Sequence, residues 1–193
     1  MIKFIKQNKT LSICLIMTLF IFVLGILFNA LLNDEIKKEI ATNINNMISN
    51  LDKNPINLNL KIIFNDFFFI FIIWIFGISI IGIPINLFLY FFKVFMFSFE
   101  MISLLSCLHL NNILFIIIYM LSSFLSIIIY FILLYYSINY SLVLIKLIFL
   151  KKNYNIKTIT QRYLKIFLIT LICSLTISLL ECFLIPKLLL LII

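Results

Sequence analysis

The residues that could carry out chemistry are few and widely separated. His109 is the only histidine, and Cys14, Cys107, Cys173 and Cys182 each stand alone in an apolar stretch. None of them has the spacing of a metal site or a redox motif. The sequence also lacks a Ser–His–Asp set, a paired-carboxylate cleft and a glycine-rich loop for a phosphate. We therefore predict a protein that is not an enzyme and has no catalytic residue, no cofactor and no metal site.

Three charged residues lie where the sequence is otherwise apolar, and they are the candidates for a functional role. Lys93 and Glu100 are seven residues apart and therefore share a helical face. Glu181 lies near the end of the last apolar stretch, where it could pair with a basic residue of a partner. An acid within a membrane is costly and by default marks a function or a buried partner. For Glu100 two interpretations stay open, a functional carboxylate or a neutral one bonded to Ser98 or Ser103.

The composition is that of an integral membrane protein. Of the 193 residues, 65% are hydrophobic and 11% are charged, whereas a soluble domain is about half apolar and a quarter charged. Continuous apolar runs such as Ile70–Phe76 differ from the alternating pattern of barrel strands, so the spans are helices. The predicted fold class is therefore an all-α, polytopic transmembrane helical bundle. We interpret the net charge of +8 as a topology signal and not as a nucleic-acid surface.

We predict about five transmembrane helices, since each needs roughly 20 apolar residues. They comprise an anchor at 11–32, with a cleaved signal peptide as the alternative, and spans at about 67–92, 94–110, 113–150 and 166–185. The chain thus divides into residues 1–32, a polar loop at 33–66 and a membrane domain at 67–193. The segment 94–110 could re-enter instead of crossing. The run at 113–150 would be about 57 Å long as one helix, so it must tilt, extend past the membrane or break, most plausibly at 135–141.

The distribution of basic residues predicts the orientation. Lys3, Lys6 and Lys9 precede the first span without an acid, and residues 151–165 carry five Lys or Arg, again without an acid. Because cytoplasmic loops are enriched in Lys and Arg, both regions should be cytoplasmic. The N-terminus, Lys93 and 151–165 are then inside the cell. The polar loop at 33–66, the segment 109–112 and the C-terminus are outside.

An apolar stripe runs through the first half of the polar loop. Its residues recur at the spacings of one helical face and are Ile36, Ile40, Ile44, Met47, Ile48 and Leu51. Asn33 or Asp34 can cap the start of this helix, and Asn54-Pro55 ends it. Such a helix lies on the membrane surface or packs on a partner, and the sequence leaves both open.

The segment Trp74–Glu100 contains features that membrane helices use for packing. Gly77 and Gly82 let a neighbouring helix approach closely. Pro84 lacks an N–H and clashes with the carbonyl four residues earlier, so we expect it to kink the second span. Lys93 is expected to end that span at the cytoplasmic face.

These residues resemble the stage II sporulation protein M family over nearly the whole chain. The family has an anchor, an outside loop with a helical segment, and a tract of the form WxxG followed by GxP. That tract is matched by Trp74, Gly77, Gly82 and Pro84, and the basic residue that follows it by Lys93. The other matches are the Asn that opens the next span and the acid, aromatic and proline near the end: Asn111, Asn112, Glu181, Phe183 and Pro186.

The resemblance implies a membrane scaffold in endospore formation. Such a protein holds stage II sporulation proteins D and P, which degrade peptidoglycan, at the septal and engulfing membrane, and it does not itself catalyse. It would be a multi-pass protein of the cell membrane. The alternative is a permease-like subunit of an ATP-driven exporter, because a broken helix near the membrane centre is also typical of a transport site.

Overall fold

The computed structural model describes residues 9–33, 35–40, 42, 55–107, 113–149 and 155–192. Five long helices make up most of this part of the chain, and no strand occurs in it. They are α1 (Lys9–Leu31), α2 (Pro55–Gly77), α3 (Gly82–Cys107), α4 (Ile113–Phe149) and α5 (Ile156–Ile192). A short helical segment covers 35–40. The predicted all-α class is confirmed.

Four of these helices are long and apolar enough to cross a membrane. The qualifying stretches are Thr10–Leu31, Gly82–Ser106, Tyr119–Phe149 and Ile156–Glu181. The apolar part of α2, Ile63–Gly77, is shorter. This stretch begins at the first residue of α2 whose side chain is described, and α2 as a whole has 23 residues, about 35 Å at 1.5 Å per residue. The second predicted span is therefore present as a helix, and it ends at Gly77 instead of at residue 92.

The boundary predicted at Lys93 is wrong. α2 ends at Gly77 and α3 begins at Gly82, so the break lies at 78–81, inside the predicted span 67–92. Lys93 lies in the middle of α3, which continues to Cys107 through the predicted span 94–110. The residues of the break are apolar apart from Ser79. The amides of Ile78 and Ser79 donate to carbonyls of α2, and the Ser79 carbonyl accepts a bond from the Gly82 amide, so the turn can form in an apolar sequence.

The two C-terminal helices are longer than predicted. α4 is one continuous helix, so the break expected at 135–141 is wrong. The polar side chains of that region face the α2–α3 turn instead. α5 begins at Ile156, ahead of the predicted start at 166. Each helix has 37 residues, which is about 55 Å at 1.5 Å per residue, so both extend beyond the hydrocarbon core.

α2 lies against α3, α4 and α5, and α4 contacts all four of the other long helices. α1 packs mainly along α3. These two helices run in parallel, since Thr18 hydrogen-bonds Tyr90 at 3.1 Å and Asn29 donates to Ser103 at 2.7 Å further along both. A Cβ on Gly25, between these levels, would collide with α3. The first helix is thus tied into the bundle by polar contacts and by close packing.

Several predicted residues lie outside the described part of the chain. They are Ile44, Met47, Ile48 and Leu51 of the apolar stripe, with His109, Asn111 and Asn112. Ile36 and Ile40 belong to the helical segment at 35–40, and Ile36 is exposed. A helix is therefore present where the stripe begins, and its role stays a prediction. The sidedness of the bundle in the membrane also stays a prediction.

Candidate functional site

The break between α2 and α3 is satisfied by hydrogen bonds from the rest of the bundle. The last four carbonyls of a helix have no partner within it, and in lipid each must find one inside the protein. The Trp74 carbonyl accepts a bond from the Tyr163 hydroxyl at 3.0 Å, and the Gly77 carbonyl accepts one from the Ser141 hydroxyl at 2.8 Å. The two carbonyls between them accept bonds from amides of the turn. All four terminal carbonyls of α2 therefore have partners.

Asn86 connects α3 to the same region. Its side-chain amide donates to the Ile73 carbonyl at 3.0 Å and to the Ser137 hydroxyl at 2.7 Å, and the residue is fully buried. Ser141 also donates to the Ser79 carbonyl at 3.1 Å. The group that we call the turn layer consists of Gly77, Asn86, Ser137, Ser141 and Tyr163. It joins α2, α3, α4 and α5 around a single helix break.

The glycines and the proline of the WxxG…GxP tract have roles that follow from this geometry. A Cβ on Gly77 would collide with two hydroxyls of the turn layer, and a Cβ on Gly82 would collide with the Phe76 carbonyl. Both positions therefore need glycine. Pro84 lies in the first turn of α3, where the absence of an N–H has no cost. The predicted kink at Pro84 is wrong, because the helix is already broken before it.

Aromatic rings hold the turn layer in place. Trp74 stacks on Phe167 of α5, with centroids 4.5 Å apart. Tyr163 stacks on Tyr140 of α4 at 4.7 Å. Tyr140 in turn hydrogen-bonds Thr160 of α5 at 2.9 Å. These contacts fix the ring of Tyr163, whose hydroxyl caps α2.

A buried ion pair lies further along the α2–α3 hairpin. Asp66 is eleven residues before the end of α2, and Lys93 is eleven residues after the start of α3. The two helices therefore place both residues at one depth, about 16 Å from the turn by helical rise. The Lys93 ammonium is 3.2 Å from the Asp66 carboxylate, which has 11% of its side-chain surface exposed. The ion pair therefore links α2 and α3 at a point far from the turn that joins them.

Two further helices bond to the same carboxylate. The Tyr130 hydroxyl of α4 donates to Asp66 at 2.7 Å, and the Ser178 hydroxyl of α5 donates to it at 3.0 Å. The Lys93 ammonium also lies 5.2 Å from the centroid of the Tyr130 ring, a distance typical of a cation–π contact. The group that we call the ion-pair layer consists of Asp66, Lys93, Tyr130 and Ser178. A single carboxylate thus connects four helices.

Glu100 lies beyond the ion-pair layer, on the side away from the turn. It accepts a hydrogen bond from the Tyr119 hydroxyl of α4 at 3.3 Å. The serines considered as its partners have other acceptors, since Ser98 and Ser103 donate to backbone carbonyls of their own helix. Expecting a bond from either serine is therefore wrong. The hydrogen bond to Glu100 comes instead from Tyr119, which is 19 residues away in the sequence.

Glu181 lies at a similar level on α5, three residues beyond Ser178. It hydrogen-bonds Ser122 of α4 and interacts electrostatically with Lys93. Glu100 also interacts with Lys93. In the described helices three acids therefore share the neighbourhood of one lysine. Pairing of Glu181 with a partner's basic residue stays a prediction.

An apolar layer on α2 and α4 separates the two polar layers. One face of α2 carries, in order, Asp66, Ile70, Ile73 and Gly77. The facing surface of α4 carries, in order, Tyr130, Leu134, Ser137 and Ser141. The residues between the polar ones are buried to 1% exposure or less. Thr170 and Ser174 of α5 lie at this depth, and both are buried. Small residues of this kind form helix–helix contacts in membranes. The apolar layer therefore separates the charged groups of the ion-pair layer from the turn.

The match to a known family covers both polar layers. A family model described as Stage II sporulation protein M matches residues 14–186, which is most of the chain. The chain belongs to the stage II sporulation protein M family. This family membership makes it a sporulation-related membrane protein, and the family is not a known family of enzymes. No curated protein and no solved structure matches the chain.

Sequence reasoning found the tract of this family but not the residues that bond to it. The structure brings Trp74, Gly77, Gly82 and Pro84 together at the turn and places Lys93 apart from them. The residues missed are Asp66, Asn86, Ser137, Ser141 and Tyr163. A signal was present for Asp66 alone, because it directly precedes a long apolar run, where an acid is costly.

Proposed function

We propose that the chain is a non-enzymatic membrane scaffold that holds peptidoglycan-degrading proteins at the septal and engulfing membrane during endospore formation. Family membership supports the link to sporulation. The partners that we propose are stage II sporulation proteins D and P, on the strength of the resemblance. The structure supports a holding role because the carbonyls at the end of α2 and the Asp66 carboxylate accept hydrogen bonds from other helices.

The observation that carries the proposal is that all four terminal carbonyls of α2 have hydrogen-bond partners. In a transporter, a broken helix leaves carbonyls and helix ends free for a substrate or an ion. Here the Trp74 and Gly77 carbonyls accept bonds from α5 and α4. The Asp66 carboxylate likewise accepts bonds from three helices. A break closed in this way fixes the shape of a bundle and leaves these groups unavailable to a transported solute.

A groove on the bundle also argues against export of a polar solute. It lies between α1, α3 and α4 and has a volume of about 410 Å³. Its lining is apolar and consists of Phe22, Phe97, Met101, Ile117, Met120, Leu121 and Phe124. A polar solute would lose its hydration there without gaining hydrogen bonds. The groove suits lipid chains or another helix.

The proposal is tested by deleting the gene in the native host under sporulation conditions and following the mother-cell membrane with a dye. We expect arrest at a flat or bulging septum, with rescue by the wild-type gene. Recovery of the proposed partners with the tagged wild-type protein should accompany the rescue. Normal engulfment in the deletion strain would overturn the scaffold role, and an ATPase among the recovered proteins would favour the exporter.

Two variants make the rescue informative. Gly77→Leu places a side chain against the turn layer and should fail to rescue, because the helices can no longer close around the break. Leu125→Ala changes a side chain that is 43% exposed on α4 outside the groove and should rescue fully. An immunoblot of the membrane fraction separates loss of protein from loss of function. Full rescue by Gly77→Leu at wild-type level would show that the turn layer is dispensable for the function.

A further inference from the structure

The ends of α4 and α5 extend past the α2–α3 turn. Ser141 is bonded to the end of α2, and α4 continues for eight residues to Phe149. Tyr163 is also bonded to the end of α2, and α5 begins seven residues earlier at Ile156. At 1.5 Å per residue, these lengths are about 12 Å and about 10 Å. The α4–α5 pair therefore projects beyond the rest of the bundle on this side.

The length of α4 and α5 brings the projection to the lipid headgroups. Ile78 and Ile81 of the turn are 46% and 72% exposed, and the projection exposes apolar side chains as well as lysines. Each helix is about 55 Å long, so an end that projects beyond the rest of the bundle leaves the hydrocarbon. The headgroup region is roughly 5–8 Å thick on each side of the bilayer, so the projecting turns pass through it. Lys146 and Lys157 are exposed at that level.

The projecting surface is basic and has no acid. The exposed basic residues are Lys146 and Lys157 on the projection, and Arg162 and Lys165 at about the level of the turn, from which their long side chains can reach the headgroups. The sequence contains no acidic residue between Glu100 and Glu181. At 100° per residue, the three basic residues of α5 lie within an arc of about 140°, opposite the buried Tyr163. They form one continuous face turned away from the bundle.

We propose that this basic face binds the phosphate groups of anionic phospholipids. The guanidinium of Arg162 can hold a phosphate through two parallel hydrogen bonds, and the lysines add point charges. Leu164 and Leu168 are 45% and 47% exposed on the same side of α5, where an acyl chain can lie against them. A basic face continuous with exposed leucines fits a lipid and not a soluble anion. The inference does not depend on the scaffold role.

The test needs a fluorescent probe on the basic side of α5. Trp74 is the only tryptophan, and it stacks on α5 through Phe167 beside Tyr163, opposite the basic face. The reporter is therefore Leu168→Trp in a Trp74→Phe background, at an exposed position on the basic side, and the natural chain keeps Trp74 as a check of folding. Brominated lipids quench tryptophan fluorescence on contact. The full reporter chain, which is the wild type of this comparison, is reconstituted in phosphatidylcholine vesicles that contain either brominated phosphatidylglycerol or brominated phosphatidylcholine at equal mole fraction. Stronger quenching by the anionic lipid reports its enrichment next to residue 168.

We expect the wild type to prefer the anionic lipid and the triple variant Lys157→Gln/Arg162→Gln/Lys165→Gln to lose this preference. Each basic residue near an anionic surface contributes about fivefold, so the three together contribute roughly a hundredfold. The charge-conserving variant Lys157→Arg/Lys165→Arg should keep the preference, and high salt should weaken it. Equal quenching by the two lipids in the wild type, or an unchanged preference in the triple variant, would overturn the proposal.

A folding defect in the triple variant would not remove the test. Arg162→Gln alone changes one exposed side chain and should lower the preference by about fivefold. The emission maximum of Trp74 must be the same in the natural chain with and without this substitution. Lys37→Gln/Lys38→Gln, predicted to lie on the other side of the membrane, is the matched control and should leave the preference unchanged. A preference that Arg162→Gln does not alter would refute the role of this residue.

Discussion

Replacing the Asp66 carboxylate by an amide is expected to loosen the bundle more than any other single polar change. Asp66→Asn removes the negative charge opposite Lys93 and keeps the size of the side chain. The remaining lysine then loses its directly bonded counter-ion and keeps only the more distant Glu100 and Glu181, in a position where 30% of its side chain is exposed. The hydroxyls of Tyr130 and Ser178 lose a charged acceptor. All three changes lower the stability of the folded bundle.

The magnitude follows from the type of contact. Breaking a buried ion pair by removing one partner costs about 3–5 kcal/mol, mainly because the other charge stays buried and unpaired. The side-chain amide that Asp66→Asn introduces can still accept one hydrogen bond, so the lower end of this range, about 3 kcal/mol, is expected. Lys93→Met should cost less than Asp66→Asn, since methionine is apolar and the carboxylate keeps two hydroxyl donors. The double variant should cost less than the sum of the two.

The assay is a double-mutant cycle on the purified full chain. Loss of helix is followed by circular dichroism as the denaturing detergent fraction is raised in mixed micelles, for the wild type, Asp66→Asn, Lys93→Met and the double variant. A coupling free energy of about 2 kcal/mol or more between the two sites is expected for residues in direct contact. Lys38→Gln, on the exposed segment at 35–40, is the control and should change little.

Two results would refute this reasoning. If the two single changes add to give the double variant, the residues do not interact in the folded chain. If Asp66→Asn costs less than about 0.5 kcal/mol, as is usual for surface substitutions, the carboxylate is not buried in the bundle.

Three further changes test the turn layer in the same unfolding assay. Gly77→Ala puts a Cβ against the Tyr163 hydroxyl and should cost about 1–3 kcal/mol; a neutral result would contradict the close approach. Tyr163→Phe leaves the Trp74 carbonyl without its donor and should cost about 1–3 kcal/mol and shift Trp74 fluorescence. Tyr136→Phe, at a residue that is 41% exposed, is its control and should do neither. Pro84→Ala should cost less than about 1 kcal/mol, because proline at the first turn of a helix replaces no hydrogen bond; a loss as large as that of Gly77→Ala would mean that the break depends on the proline.

The helices that were predicted well are those whose ends the sequence marks with polar residues. α1 and α4 begin and end within about two residues of the predicted limits, which agrees with the usual uncertainty of helix ends. Their apolar runs stop at Asn33 and at Lys151, where the sequence becomes polar. Sequence reasoning relies on such changes in polarity, and in these places the change is present.

The break at 78–81 could not be located in this way. Its residues are as apolar as the helices on either side, because the hydrogen bonds that satisfy it come from Tyr163, Ser141 and Asn86. These donors are distant in the sequence on α4 and α5, or lie beyond the turn in α3. Proline disrupts a helix more strongly than glycine does, so the sequence predicts the kink at Pro84 and not a break between Gly77 and Gly82.

One misplaced break changed the interpretation of the charges. With a span at 67–92, Asp66 and Lys93 lie at opposite ends of one helix and on opposite sides of the membrane. With the break at 78–81, they lie at the same depth on two neighbouring helices and contact each other at 3.2 Å. The pairing depends on the spacing from the turn, so it could be derived only once the turn was known. Glu100 and Tyr119 are another pair that only the packing of α3 on α4 brings together.

The buried acid of α2 has a consequence for how the protein enters the membrane. During synthesis Asp66 leaves the ribosome 27 residues before Lys93, at a time when neither its counter-ion nor the donors on α4 and α5 exist. A helix that carries an unpaired acid is a poor substrate for insertion on its own. α2 is therefore expected to wait at the translocon until α3 emerges, and the two helices then enter the bilayer together as a hairpin.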